Sequence, residues 1–276
     1  MNAVTQALFT FDPVQLTQVA EQSAEAYRTA DPFPCIMFDH FLPEGVLDPV
    51  LDEFPDREQA EWITFDRATE KKRISRDENQ LGPYTRHLIA QFNSSTFVRF
   101  LQVLSGINGL IPDVHLVGGG VHSVEPGGFL KIHADFNLHD ELRLDRRLNV
   151  LVYLNKDWQE EYGGHLELWD REMTRCAKRF LPIFNRCVIF STTSTSWHGN
   201  PDPVKCPPGM SRKAINLYYY SNGRPEEEKR EWHSTVFQRR PGETIHLSPK
   251  EFIRGLTPPF LYQGASRVYR ALQPRS

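Results

Sequence analysis

GFLKIHAD, residues 128–135, is the stretch on which the reading of this chain turns. Phe129, Leu130 and Ile132 give it strand composition, and Pro126-Gly127-Gly128 supplies a turn ahead of it. In a strand, residues i and i+2 project to one side, so His133 and Asp135 can converge on a single metal ion. The chain has ten histidines, enough for one His-x-Asp to arise by chance, and the spacing alone is weak support. Its surroundings strengthen it. Cys187–Phe190 is a second apolar strand, and STTSTSWHGN (191–200) after it carries His198. A third segment, SRKAINLYYY (211–220), alternates Arg212, Ala214, Asn216, Tyr218 and Tyr220 with Lys213, Ile215, Leu217 and Tyr219. Two imidazoles and a carboxylate on one face of a metal leave the opposite positions open, as oxygen chemistry on iron requires. A basic residue heading a long strand, shortly after a candidate ligand, is hard to explain by packing alone.

Working outward, the period changes near Val114. Strands are expected at about 114–124, 129–134, 147–154, 165–169, 187–191 and 212–220, separated by Gly, Pro and Asn turns. The first third reads as helical. Asp12-Pro13 is an N-cap followed by proline at the first helical position, with Leu16, Val19 or Ala20, and Tyr27 at helical spacing. A short strand is expected at Cys35–Phe38, a helix opening at Leu42-Pro43 and restarting at Pro49, and further helices at Pro83–Phe92 and Ser95–Leu104. Ser248-Pro249 reads as the start of one more short helix, to Leu256. Many short strands preceded by helices predict a mainly β fold: a double-stranded β-helix (jelly roll, cupin-like) braced by a helical layer. The expected organisation is one domain, with a helical support over 1–112, the jelly-roll core over 113–222 and an extension over 223–276.

The motifs resemble a known family. HAD, WHG and SRKAINLYY, together with RRLNVLVYLNKDW (Arg146–Trp158) and GGHLELW (Gly163–Trp169), are similar to the catalytic core of the iron(II)/2-oxoglutarate-dependent dioxygenases, nearest the prolyl 4-hydroxylase-like branch. Five motifs in order make a specific match. The segment before about residue 110 matches loosely, through PFPCIMFDHFLPEGVLDPVLDEFP (32–55). The resemblance implies Fe(II) held by His133, Asp135 and His198. It also implies 2-oxoglutarate as co-substrate with its remote carboxylate on Arg212, O₂, ascorbate as reductant, and succinate and CO₂ as products. An aspartate at position 135, where related halogenases lack the carboxylate, points to hydroxylation. Proline in a peptide or protein is the substrate the branch suggests. A small molecule (a free amino acid, sugar or secondary metabolite) is the alternative, because fold does not carry substrate identity.

Individual residues keep open alternatives. Lys213 competes with Arg212, since a one-residue slip would exchange their faces. Tyr153 and Asn149 share a strand face and are expected to touch the co-substrate, the alternative being core lining. His122 either meets substrate or is a core histidine. Gly118-Gly119-Gly120 is no phosphate loop, because no helix follows it. Glu70–Glu78 (EKKRISRDE) is read as a solvated surface loop, or as part of a lid over about 66–82 closing on substrate. His165 and His233 have no partner motif and are expected at the surface.

Composition excludes several classes. The net charge of −3, with pI near 6.4, argues against a nucleic-acid partner. The four cysteines show no CxxC pairing, as expected of reduced thiols in a cytoplasmic protein, and no run is apolar enough for a membrane span or a leader segment. No HExxH motif suggests a zinc hydrolase. A non-catalytic jelly-roll binding protein would be expected to lack a ligand or the anchoring arginine, and both are present.

Overall fold

The computed structural model describes residues 9–56, 58 and 60–244. Its helices are α1 (Pro13–Arg28), α2 (Asp48–Asp52), α3 (Pro83–Phe92) and α4 (Ser95–Ser105). The strands are β1 (Cys35–Phe38), β2 (Ile63–Arg67), β3 (Glu70–Ser75), β4 (Ile111–Pro112), β5 (Gly120–Val124), β6 (Phe129–Ala134) and β7 (Asp145–Tyr153). They continue with β8 (Leu166–Trp169), β9 (Cys176–Phe180), β10 (Cys187–Ser191), β11 (His198–Asn200), β12 (Arg212–Ser221) and β13 (Val236–Phe237). The hydrogen-bonded order is β1-β10-β7-β12-β5-β3-β6-β11-β8-β9, antiparallel throughout. This sheet curls on itself as the jelly-roll double-stranded β-helix.

Alternation along the central strands explains why both faces are covered. Leu148, Val150 and Val152 of β7 and Ile215, Leu217 and Tyr219 of β12 join one core cluster with Tyr27 of α1, Phe92 of α3 and Phe97, Phe100 and Leu104 of α4. Leu151, Tyr153 and Ala214, on the opposite face, cluster with Cys35, Leu166, Leu168, Val188 and Phe190 inside the barrel. The helices therefore seal the outer face of the sheet, and the inner face is left for the site. α1 begins where Asp12 accepts hydrogen bonds from Val14 N and Gln15 N, with Pro13 in the first turn. α4 is capped by Ser94 and ends at Gly106, whose φ of 78° suits a residue with no Cβ.

The expected helices at 83–92 and 95–104 and the strands from 129 to 220 form within a residue or two of where they were read. Three segments differ. The strand expected from 114 begins only at Gly120, because residues 113–119 turn around the Asp113 carboxylate, which accepts from His115 N and Val117 N while Leu116 and Gly118 take positive φ. The helix expected from Leu42 forms only over Asp48–Asp52, since Gly45 at φ 80° interrupts it and Pro49 restarts it. Glu70–Glu78 is neither surface loop nor lid at its start. Glu70–Ser75 is β3, paired with β2 along one edge and with β5 and β6 along the other. The helix expected at Ser248–Leu256 lies outside the described residues.

Candidate active site

β6 and β11 bring the first three residues together. His198 is the register partner of His133, and Asn200 is that of Leu130. Two steps along β11 thus match three along β6, so β6 carries a bulge that turns both Leu130 and His133 inward. Gly199 makes the bulge possible: a Cβ there would lie 2.7 Å from Leu130 O and 2.8 Å from Lys131 O. Asp135 follows one residue beyond β6.

The ligand atoms of His133, Asp135 and His198 all lie within 4.8 Å of one another, and all three residues are buried. His133 Nδ1 donates to Lys131 O at 2.9 Å and His198 Nδ1 to Ser196 O at 2.8 Å. A carbonyl can only accept, so each Nδ1 carries a proton and each Nε2 is the ring nitrogen left to face the other two residues. Those Nε2 atoms point at the acid, 3.6 Å from Asp135 Oδ1 for His133 and 3.4 Å from Oδ2 for His198. Burial, helped by the neighbouring His133, pushes the His198 imidazole down to about 3 in the metal-free protein. Burial alone would raise the Asp135 carboxyl, but Arg146, His198 and His133 outweigh it and hold the group well below its ordinary range. Two neutral imidazoles and one anionic carboxylate are the donor set of a mononuclear iron(II) site, and this pocket fits that ion.

A second layer fixes the carboxylate. Asn149 Nδ2 donates to Asp135 Oδ2 at 2.8 Å, and Arg146 Nη2 sits 3.0 Å from the same oxygen. Arg146 also donates to Asn149 Oδ1 through Nε (3.2 Å) and Nη2 (2.8 Å). Its guanidinium lies 3.5 Å from the centre of the Tyr218 ring and 4.6 Å from that of Phe136. Asn149, expected beside the co-substrate, is thus placed against the Asp135 carboxylate. Arg146 has no role in the sequence analysis, although an arginine at the head of a strand that continues as the apolar-rich Leu148–Tyr153 is a signal that could have found it.

Arg212 heads β12 on the inner face and is buried. Its Nε donates to Gly164 O at 2.7 Å and its Nη2 to Tyr153 Oη at 3.2 Å, with the guanidinium 4.9 Å from the centre of the Tyr153 ring. Among the described residues no carboxylate lies in ion-pair range of it. Lys213 takes the opposite face, its ammonium over the Phe54 ring at 5.5 Å, so of the two it is Arg212 that faces the barrel interior. His122 is buried with both ring nitrogens engaged, Nε2 with Gly118 O (3.1 Å) and Nδ1 with Asn216 Nδ2 (3.2 Å). That is the pattern of a core histidine.

His165 is buried rather than superficial, 2.9 Å from Glu160. His233 is partly buried, and its Nε2 meets Ser194 Oγ at 2.7 Å. It belongs to a strap within the charge-rich 223–243 segment. There β13 pairs with Ala134 and His133, and Phe237 lies 5.6 Å from the His133 ring, centre to centre.

No curated protein matches the sequence. Residues 119–220 match the 2OG-Fe(II) oxygenase superfamily, a span that includes all the residues above from His122 to Arg212. Among solved structures, a prolyl-4-hydroxylase from Pseudomonas putida aligns with TM-score 0.53 at 17% identity, covering 74% of this chain and 100% of that one. A prolyl hydroxylase from Trichoplax adhaerens, in complex with a hypoxia inducible factor oxygen degradation domain peptide fragment, aligns with TM-score 0.54 at 17% identity, covering 80% and 94%. HygX from Streptomyces hygroscopicus, with nickel, 2-oxoglutarate and hygromycin B bound, aligns with TM-score 0.50 at 12% identity, covering 73% and 87%. At these identities the likeness is one of fold. Residues 119–220, the barrel from β5 to β12, thus carry the match to the 2OG-Fe(II) oxygenase superfamily, and the fold around them is that of the prolyl hydroxylases above.

Proposed function

We propose that this protein is a 2-oxoglutarate-dependent dioxygenase, nearest the prolyl 4-hydroxylase-like branch, that hydroxylates an unactivated C–H bond, with His133, Asp135 and His198 as the iron ligands and residues 113–222 as the catalytic core. The observation that carries the reading is the convergence of two imidazole Nε2 atoms and one carboxylate, all from buried residues, within 4.8 Å. Bound Fe(II), with 2-oxoglutarate and O₂, supplies the oxidising chemistry, and succinate and CO₂ are the co-products; ascorbate serves as reductant.

The chain's own residues orient and insulate. The carbonyls of Lys131 and Ser196 fix both imidazole tautomers, and Asn149 with Arg146 holds the Asp135 carboxylate in place. Arg212, buried without a carboxylate partner among the described residues, offers its planar fork to the remote carboxylate of 2-oxoglutarate, and Tyr153 steadies that fork. The Asp135 carboxylate occupies the position that a halide would need, which favours hydroxylation over halogenation.

A proline-containing peptide is the substrate suggested by the branch, and the Trichoplax enzyme carries a peptide in its complex. A small polar molecule is the second reading. It is supported by a charged pair inside the chamber, described below, and by the hygromycin B bound to HygX. Anaerobic addition of Fe(II) and 2-oxoglutarate tests the reaction class. A weak visible charge-transfer band is expected, lost in His133→Ala; a folded wild-type protein with no band would overturn the assignment.

A further inference from the structure

An ion pair that the iron chemistry does not use faces the same interior. Along β3, Glu70, Lys72 and Ile74 share one face. Glu70 is the register partner of Leu130, and Ile74 is the partner of the buried His122. Lys72, between them on β3, is within electrostatic reach of His122, Asp135 and Arg146, on the inner side of the barrel. Its Nζ lies 3.3 Å from Glu70 Oε2 and 5.3 Å from the centre of the Phe65 ring, with the lysine side chain 15% exposed and the glutamate 9%. Burial depresses the Lys72 ammonium, which is also close enough to feel Asp135 and Arg146.

Such a pair contributes little to folding, because the cost of removing two charges from water cancels much of their attraction. The charges around it show what it is for. Arg146 is engaged by Asp135, and Arg212 is reserved for the co-substrate. Glu70 has a second cation in Arg67, whose Nη1 lies 3.5 Å from Oε1 and whose side chain is 43% exposed. If Lys72 turns away, Glu70 keeps Arg67 as partner, and an ammonium is left inside the chamber with no anion of its own. A backbone segment of a peptide would bring no charge to meet it.

We propose that Lys72 receives the anionic group, carboxylate or phosphate, of a small-molecule substrate, with Glu70 as the internal stand-in that the substrate displaces. This rests on the hydroxylase reading, takes up its small-molecule alternative, and narrows that to small acids.

The test uses the whole protein loaded with Mn(II) and 2-oxoglutarate, and follows relaxation of the acetate methyl protons, of inorganic phosphate phosphorus and of neutral acetamide by the bound Mn(II). Acetate or phosphate should show saturable relaxation that acetamide lacks, and whichever of the two does so identifies the source of the charge. In Lys72→Met the apparent Kd should rise about 30-fold, equivalent to ~2 kcal/mol. Lys72→Arg should keep the binding. Glu70→Gln should tighten it several-fold by removing the competitor, a response that a purely structural pair would not give. Anions relaxed no more than acetamide, or equally in Lys72→Met, would overturn the proposal, as would unchanged binding in Glu70→Gln should Lys72→Met not fold. Failure of wild-type Mn(II) protein to bind 2-oxoglutarate would instead strike the hydroxylase reading itself.

Discussion

Arg212→Met separates ligand binding from folding at one residue. In the wild type the guanidinium is buried, donates to Gly164 O at 2.7 Å and to Tyr153 Oη at 3.2 Å, and has no carboxylate in range among the described residues. Burial disfavours its charged form, with Tyr153 the group that offsets this. Removing the charge therefore relieves a desolvation cost, while leaving the Gly164 carbonyl without its donor costs about 1–3 kcal/mol. The two roughly cancel. The melting temperature without 2-oxoglutarate should stay within a few degrees of wild type, about 2–4 °C per kcal/mol for a domain of this size. The ligand side has no such cancellation: losing the partner of a buried carboxylate costs about 3 kcal/mol, a rise of about 150-fold in the 2-oxoglutarate Kd. Arg212→Lys keeps the charge but loses the fork, and should weaken binding by about 10- to 30-fold. Thermal shift of the Mn(II) protein across a 2-oxoglutarate titration measures both quantities at once. A variant that is badly destabilised without ligand yet binds 2-oxoglutarate as the wild type does would show that Arg212 is a brace and not an anchor.

Other perturbations reach different parts of the site. Gly199→Ala forces a Cβ to 2.7–2.8 Å from two backbone oxygens of the β6 bulge, so a loss of about 1–3 kcal/mol is expected by urea titration. Mn(II) binding should weaken with it because His198 is displaced; full stability would mean the bulge can relax. Asn149→Ala removes a donor from Asp135 Oδ2 and should weaken Mn(II) binding about 10- to 100-fold, and undiminished affinity would assign the orientation to Arg146 alone. The metal-free protein should lose stability on acidification. His198, pushed down to about 3, and His122, held well below its ordinary value by burial and the Lys72 charge, both stay neutral where an unfolded histidine binds a proton. Below an unfolded pKa of about 6.5 the unfolded state therefore holds more protons, and stability should fall by about 1.4 kcal/mol per pH unit for each histidine. Denaturation in chelator at pH 7 and pH 5 would show this slope, and a flat profile would mean that the imidazoles are less enclosed than described.

The parts legible in the sequence were those where local rules and the fold agree. Asp12-Pro13 and Ser94 mark helix starts by their side-chain chemistry, and β6, β7, β8, β10 and β12 show in composition and alternation, whereas the short β9 and β11 do not. The motifs singled out His133, Asp135 and His198, which the fold gathers within 4.8 Å of one another, and Arg212, which it buries on the inner face. Register, which sequence left open between Arg212 and Lys213, depended on β12 lying between β5 and β7. The Asp135 clamp was harder to see. Arg146 and Asn149 are three apart, a spacing that does not share a face on a regular strand. They meet because the pairing of β7 with β12 shifts register at Tyr219/Tyr220.

β3 was misread for a reason that bears on function. EKKRIS has the polarity of a surface loop, and rules that equate polar residues with solvent place it outside. On its inward face Glu70 and Lys72 meet one another, Lys72 is within electrostatic reach of Asp135 and Arg146, and Ile74 is paired with His122. Its outward face, Lys71 and Arg73, is polar because Arg73 meets Glu125 at 2.8 Å on the exterior. A strand polar on both sides carries no alternation, so the period-2 signal disappears where a barrel keeps charge within. A dry-cored relative would need apolar residues at positions 70 and 72. Charges retained there, at a desolvation cost with little return in stability, argue that the interior of this barrel is shaped for a charged occupant.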